Sequence, residues 1–383
     1  MTAKTKRRFL RFSLRAMLVM LTVFGIWLGV QVNRANEQRA VVEWLTENGG
    51  VVSYDWAFDK DFQTSGKTEP PGPRWLRQQI GDEYFQSVVR VDVDRVEVHD
   101  LSPLVKLPDL TWLRIEIATI SDLSPLAKLP DLRFLRIGIA PISDLSPLAC
   151  LTRLEALDLN SAQINDLSAL SNLTDLKCLH LHTAVADLSP LARLSNLKSL
   201  NFGGTNVSNL SPLARLTNLE ALYLTDTQVS DLSPLAKSSN LKSLAVYGIQ
   251  VNDLSPFAKL SNLEILHLEG LQVDDISPMA NLSDLKFLVI KNTQVSDLSP
   301  LASLTKLEEL DLAYTQVSDL SPLASLTKLK FLALEGTQVN DLTPLMGLHS
   351  LAELNVDHTS VTDEQIANLQ NALPYCRISV DDI

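Results

Sequence analysis

The sequence predicts an α/β solenoid in which stacked coils build a parallel β-sheet on the concave face and short 3₁₀-like turns on the convex face, preceded by one transmembrane helix. Three observations carry this reading. The segment L-S-P-L and its variants begin at residues 101, 123, 145, 167, 188, 210, 232, 254, 276, 298, 320 and 342, a period of 22 residues with one interval of 21. Within the period, apolar residues recur at positions 1, 4, 7, 10, 13, 15 and 20, as in Leu298, Leu301, Leu304, Leu307, Leu310, Leu312 and Val317. From Ala16 to Val32 the stretch AMLVMLTVFGIWLGVQV carries no charge. One coil cannot bury so many leucines by itself. Stacking makes them a continuous core, in which each fully buried side chain contributes about 1.5 to 3 kcal/mol before entropy is deducted. Composition makes that core aliphatic, since the chain is 45% hydrophobic but only 6% aromatic.

The uncharged stretch meets the lower end of the roughly 17 to 25 apolar residues that span a bilayer. Lys4, Lys6, Arg7, Arg8, Arg11 and Arg15 precede it without an acidic residue, and such basic residues are retained on the cytoplasmic side. The expected layout is a cytoplasmic tail at 1–15, an anchor at 16–32, and an extracytoplasmic body beyond Asn33. Gly29 to Asn33 offer no small-x-small cleavage site, so the segment reads as a retained anchor rather than a removed signal peptide.

Residues 33–100 read as a juxtamembrane and capping region. It holds a helix over 34–48 with Val41, Val42 and Leu45 on one face and a stop at Gly49-Gly50, then a strand from Val51 to Phe58. A loop over 63–73, a short helix from Pro73 to Ile80 and the extended SVVRVDVDRVEV lead to the first coil. Twelve coils then fill 101–363. Positions 12 to 16 alternate as a strand does, for example Glu309-Leu310-Asp311-Leu312-Ala313, with both leucines inward and positions 12, 14 and 16 outward. Ser at position 2 and Pro at position 3 suit the entry to a helical turn, where Ser caps and proline's missing N–H is harmless. Position 22 is Asp, except at Asn209, and falls on a turn that needs a side-chain acceptor. Residues 364–383 close the stack. Thr362 and Gln365 stand in capping-box spacing, Ile366 and Leu369 share a face, and an edge strand follows Pro374.

These residues carry a resemblance. The segment NLEALYLTDTQVSDLSPLAKSS, with its recurrence over roughly residues 88–363, resembles the 22-residue leucine-rich repeat of the internalin type. The resemblance implies a leucine-rich-repeat solenoid with Asn at position 18, bonding to the neighbouring coil. Here Thr205, Thr227, Thr293, Thr315, Thr337 and Thr359 stand at that position, or apolar residues such as Ala118, Ile249 and Leu271. A hydroxyl replaces only part of an amide's bonding. The stretches RFSLRAMLVMLTVFGIWLG and PGPRWLRQQIGDEYF further resemble membrane-anchored leucine-rich-repeat proteins of planctomycete bacteria.

Several function classes are excluded at this level. Beyond residue 15, 27 basic side chains meet 45 acidic ones, a net charge of −18 that repels phosphate backbones, so nucleic acid is not an expected partner. Cys150, Cys178 and Cys376 fit no zinc, redox or disulfide spacing. No Gly-rich phosphate loop, nucleophile elbow or H-E-x-x-H occurs, so neither enzyme activity nor a cofactor is expected. Binding remains. Outward positions 14 and 16 have no packing duty, and in the middle of the array they hold His180, His182, Tyr223, Tyr247 and His267, the candidate ligand-binding residues. Trp112 and Phe134 form a second aromatic edge. Cys178, His180 and His182 alternate along one strand at a spacing that transition-metal sites use, but no fourth ligand accompanies them and no metal is assigned. The expected function is a single-pass, membrane-anchored binding module presenting its concave sheet to a protein or glycan at the cell envelope. The alternatives are a structural envelope component acting by self-association and a metal-binding protein.

Overall fold

The computed structural model describes residues 14–57, 67, 69–94, 98–117, 119–161 and 163–380. The basic run before residue 14, Phe58, residues 63–66 and 68 of the loop expected at 63–73, and Ala118 lie outside the described residues.

The chain opens on α1 (Leu14–Glu47), one uninterrupted helix. The anchor and the helix expected over 34–48 run together because Asn33 to Asn36 include neither Pro nor Gly to break them. What changes along α1 is burial. Residues 15–30 are exposed all round, and the helix is long and apolar enough to cross a membrane. From Ala35 onward it buries a stripe at helical spacing, Ala35, Gln38, Val41 and Leu45. Gln38 is satisfied at both ends of its amide: Nε2 donates to the Gln86 carbonyl and Oε1 accepts from the Val88 N–H, each at 3.1 Å. Ion pairs Arg34–Asp109 and Arg39–Glu83 flank the stripe.

β1 (Val51–Tyr54) is shorter than expected because the chain turns at 55–57, while α2 (Arg74–Ile80) matches its expectation. β1 pairs antiparallel with β2 (Val88–Val93). From β2 onward the strands follow in chain order and pair in parallel, completing a sheet of 15 strands. β3 (Trp112–Ile117), β4 (Phe134–Ile139), β5 (Ala156–Ser161) and β6 (Cys178–Thr183) have six residues each. From β7 (Ser199–Asn201) to β14 (Glu353–Asn355) each has three. A uniform strand over positions 12 to 16 is therefore too short for the first four coils and too long for the rest.

Position 17 decides the difference. In the later coils it holds Gly204, Asp226, Gly248, Gly270, Asn292, Tyr314, Gly336 and His358, all at positive φ, from 52° to 71°. In the first four it holds Ile117, Ile139, Ser161 and Thr183. The β-branched members resist the left-handed region, so the strand runs on. Where the chain does turn left, position 17 still donates to the next coil, as Asn292 N–H does to the Ala313 carbonyl at 2.9 Å.

On the opposite wall, the leucines three residues apart meet a helix of three residues per turn, so all point inward. Leu301, Leu304 and Leu307 each donate to the carbonyl three residues earlier at 2.9 Å, and the seven apolar residues of that coil are at most 1% exposed. The serine entering each turn does not cap it. The aspartate at position 22 does: Asp297 accepts the Ser299 N–H on Oδ1 and its hydroxyl on Oδ2, both at 2.8 Å. Asn209 accepts the Ser211 N–H in the same way at 2.9 Å. Apart from Thr205, whose buried hydroxyl has no hydrogen-bond partner among the described residues, the position-18 threonines bond inside their own coil, Thr293 to the Ile290 carbonyl at 2.8 Å and Thr359 to Val356 at 2.7 Å. Neighbouring coils are joined there by backbone instead, with Gln316 N–H reaching Val295 and Gln338 N–H reaching Val317 at 2.9 Å. The stack ends on α3 (Asp363–Ala372), started by the expected Thr362/Gln365 capping box, and on the edge strand β15 (Arg377–Ser379).

Candidate binding surface

Parallel strands in register set the same position of successive coils side by side, about 4.8 Å apart. Position 14 forms one such file, running from Arg114 through Arg136, Asp158, His180, Asn201 and Tyr223 to Ala245 and His267. The five candidate residues all stand on this outward face, His180, Tyr223 and His267 in that file and His182 and Tyr247 at position 16.

They form a stripe rather than a pocket. His180, Tyr223 and His267 sit on alternate strands, β6, β8 (Ala221–Tyr223) and β10 (Ile265–His267). Successive members are thus about 10 Å apart and the ends about 19 Å. His182 borders a polar depression with Arg136, Asp158 and Asn160, and His267 borders an apolar one with Phe287 and Val289. Tyr223 and Tyr247 line neither; Tyr247 is exposed and Tyr223 half-buried.

The first coils spend their outward charges on each other. Arg114 meets Glu116 at 2.6 Å, Arg136 meets Glu116 at 3.0 Å and Asp158 at 3.4 Å, and His180 Nδ1 lies 4.0 Å from Asp158. Trp112 and Phe134 stack at 3.5 Å between centroids, with the Arg90 guanidinium 4.4 Å over the Trp112 ring. Cys178, His180 and His182 share a face as their spacing predicts. Burial pushes the Cys178 thiol up, away from the thiolate a metal would need. Among the described residues no group of three or more His, Cys, Asp or Glu is placed to hold a metal ion.

Two features escaped sequence reasoning. Position 11 alternates in sign from Lys198 through Glu220, Lys242, Glu264, Lys286 and Glu308 to Lys330. Each of Lys198, Lys242, Lys286 and Lys330 reaches a glutamate of an adjacent coil at 2.5–2.8 Å. Glu220, hydrogen-bonded by Lys198 and then Lys242, has its pKa pushed down to about 2. Position 12, which is Ser199, Ala221 and Ser243 in the middle, becomes Ile265, Phe287 and Phe331 further on. Both signals are columns at 22-residue spacing, legible once that column is known to face a neighbour.

Fold and surface together define a leucine-rich-repeat solenoid with an outward-facing parallel sheet. The family model described as Leucine Rich repeats (2 copies) matches residues 195–237 and 283–325. The crystal structure of the internalin InlF from Listeria monocytogenes is similar over 81% of this chain and 93% of its own, at 32% identity and a TM-score of 0.72. The chain belongs to the internalin-type leucine-rich-repeat family. A leucine-rich-repeat protein of Leptospira interrogans shares the fold at 19% identity over 81% of this chain and 93% of its own, with a TM-score of 0.60. So does the ectodomain of the Arabidopsis thaliana membrane receptor kinase GASSHO1/SCHENGEN3, solved in complex with CASPARIAN STRIP INTEGRITY FACTOR 2, at 17% identity over 74% and 39% of the two chains and a TM-score of 0.56. No curated protein sequence matches the chain.

Proposed function

We propose that this chain is a membrane-anchored binding module, without catalytic function, that presents its concave sheet to a protein ligand at the cell envelope. The observation that carries the reading is the stripe from His180 to His267. Its large outward side chains serve neither the core nor the turns, and aromatic and imidazole groups supply contact area with little entropy to lose. Support for anchoring comes from the apolar, exposed length of α1 and the basic residues ahead of it. Support for recognition comes from relatives of the same fold, including the receptor ectodomain found in a complex.

The test uses the full chain, tagged and solubilised from envelope, to capture its partner beside a Tyr223→Ala, Tyr247→Ala variant. Loss of the partner with unchanged thermal unfolding supports the central stripe. Retention with an intact fold removes the two tyrosines from the site. Loss of capture after enzymatic deglycosylation of the extract would make the ligand a glycan.

A further inference from the structure

Beyond β10 the concave face changes character. Ile265, Phe287 and Phe331 at position 12 and Val289 at position 14 wall an open depression of about 270 Å³. These side chains are half-buried, and Ser199, Ala221 and Ser243 fill position 12 in the three coils just before, so the fold itself does not demand them. Among them, on β12 (Glu309–Asp311), stand two carboxylates, Glu309 and Asp311. The depression crosses four strands, from β10 to β13 (Phe331–Ala333), a width of about 14 Å. That suits several residues of an extended chain.

Charge sets this place apart from the first coils, where arginines answer the outward carboxylates. Here Lys291 is taken by Glu269 at 3.2 Å. Among the described residues, neither Glu309 nor Asp311 has a cation within ion-pair distance. Asp311 accepts one hydrogen bond, from the Ala313 N–H at 3.0 Å.

We propose, resting on the concave-sheet reading above, that this depression takes a basic peptide segment, one large apolar side chain lodging among Ile265, Phe287 and Phe331 and a flanking Lys or Arg meeting Glu309 and Asp311. An apolar wall alone accepts any apolar partner. Two carboxylates set between the rings select for a cation, because a partner that covered them without one would strip their hydration and return nothing. The net charge of −18 beyond residue 15 draws cations to the same body.

The experiment places the full chain in phosphatidylcholine nanodiscs and follows fluorescence anisotropy of labelled Gly/Ser peptides carrying Arg-Trp-Arg, Glu-Trp-Glu or Arg-Ser-Arg. The first binds saturably and weakens with added salt; the other two bind at least about tenfold more weakly. Glu309→Gln with Asp311→Asn costs the Arg-Trp-Arg peptide about tenfold in affinity. That variant keeps its fold, since Asn201 and Asn355 make the same backbone bond at this position, at 2.9 and 2.8 Å. Phe287→Ser, which copies Ser243, has the same effect on the Arg-Trp-Arg peptide. No saturable binding up to millimolar peptide, equal affinity for Glu-Trp-Glu, or an unaltered affinity in the carboxylate variant overturns the proposal. None of these touches the central tyrosines, and peptide binding retained in the Tyr223→Ala, Tyr247→Ala variant separates the two sites.

Discussion

Asp231 holds the entry of its coil through one carboxylate, accepting the Ser233 N–H at 2.8 Å and the Ser233 hydroxyl at 3.0 Å. Those bonds, the backbone one first, pull its pKa below the usual aspartate range; the same holds for Asp275 with Ser277. A carboxyl whose folded pKa lies under its unfolded value contributes fully above about pH 4, and the contribution drains away as pH falls through the lower folded value. Acid unfolding followed by circular dichroism should therefore flatten below about pH 4 in an Asp231→Asn, Asp275→Asn variant, because the amide keeps the acceptor, as Asn209 does, but cannot be protonated. Asp231→Ala should lower the denaturation midpoint at every pH. An acid limb identical to that of the parent protein in the Asn variant would discard the mechanism. Leu224 and Tyr223 are adjacent, yet Leu224 is fully buried and Tyr223 stands outward. Leu224→Ala should destabilise by about 2 to 5 kcal/mol through the cavity it leaves, whereas Tyr223→Ala should leave chemical denaturation nearly unmoved. Comparable losses would mean that the outward face is load-sharing with the core.

The solenoid's elements divide at β7, where strands of six residues give way to strands of three. The cause sits in one column of side chains, since a left-handed residue at position 17 ends the strand and turns the chain toward the convex wall. Gly270 tests this cleanly, because its φ is 71° and a Cβ added there would meet nothing within 4 Å. Gly270→Asn should be close to neutral, Asn292 occupying the same position at φ 56°. Gly270→Val should cost about 1 to 2 kcal/mol more, as a β-branched side chain is forced left-handed. Equal stabilities by urea titration would remove position 17 as the switch. The column was readable in the chain, with Ile117 and Ile139 early and glycine or Asn recurring later. Its meaning was not, because a period of 22 specifies which residues are equivalent without specifying their dihedral angles. The turn caps depart from the residue-type expectation for a related reason. Ser at position 2 has the residue type of a cap, but in a 3₁₀ turn the acceptor two residues earlier reaches its N–H first.

For the whole molecule, α1 joins the exposed apolar stretch to the capping stripe without a break, so a membrane crossing at 15–30 would put the first strands directly at the surface on a stiff rod. With basic residues ahead of that stretch, protease added to intact spheroplasts should degrade the body; full protection would reverse the orientation, and a shortened N-terminus in the purified protein would mean the segment is removed. The residue pattern alone specifies the solenoid, its inward leucines, the terminal caps and the outward placement of His180, His182, Tyr223, Tyr247 and His267, because burial against neighbouring coils imposes a repeating pattern that recurs twelve times. That those five residues form a stripe about 19 Å long follows only from the stacking of the coils. Stacking alone decides too that the charges of the first coils cancel while Glu309 and Asp311 stand among apolar walls, and that position 11 is a ladder of alternating ion pairs. These properties belong to pairs of residues some 22 apart, and they become contacts only when stacking in register places one coil against the next.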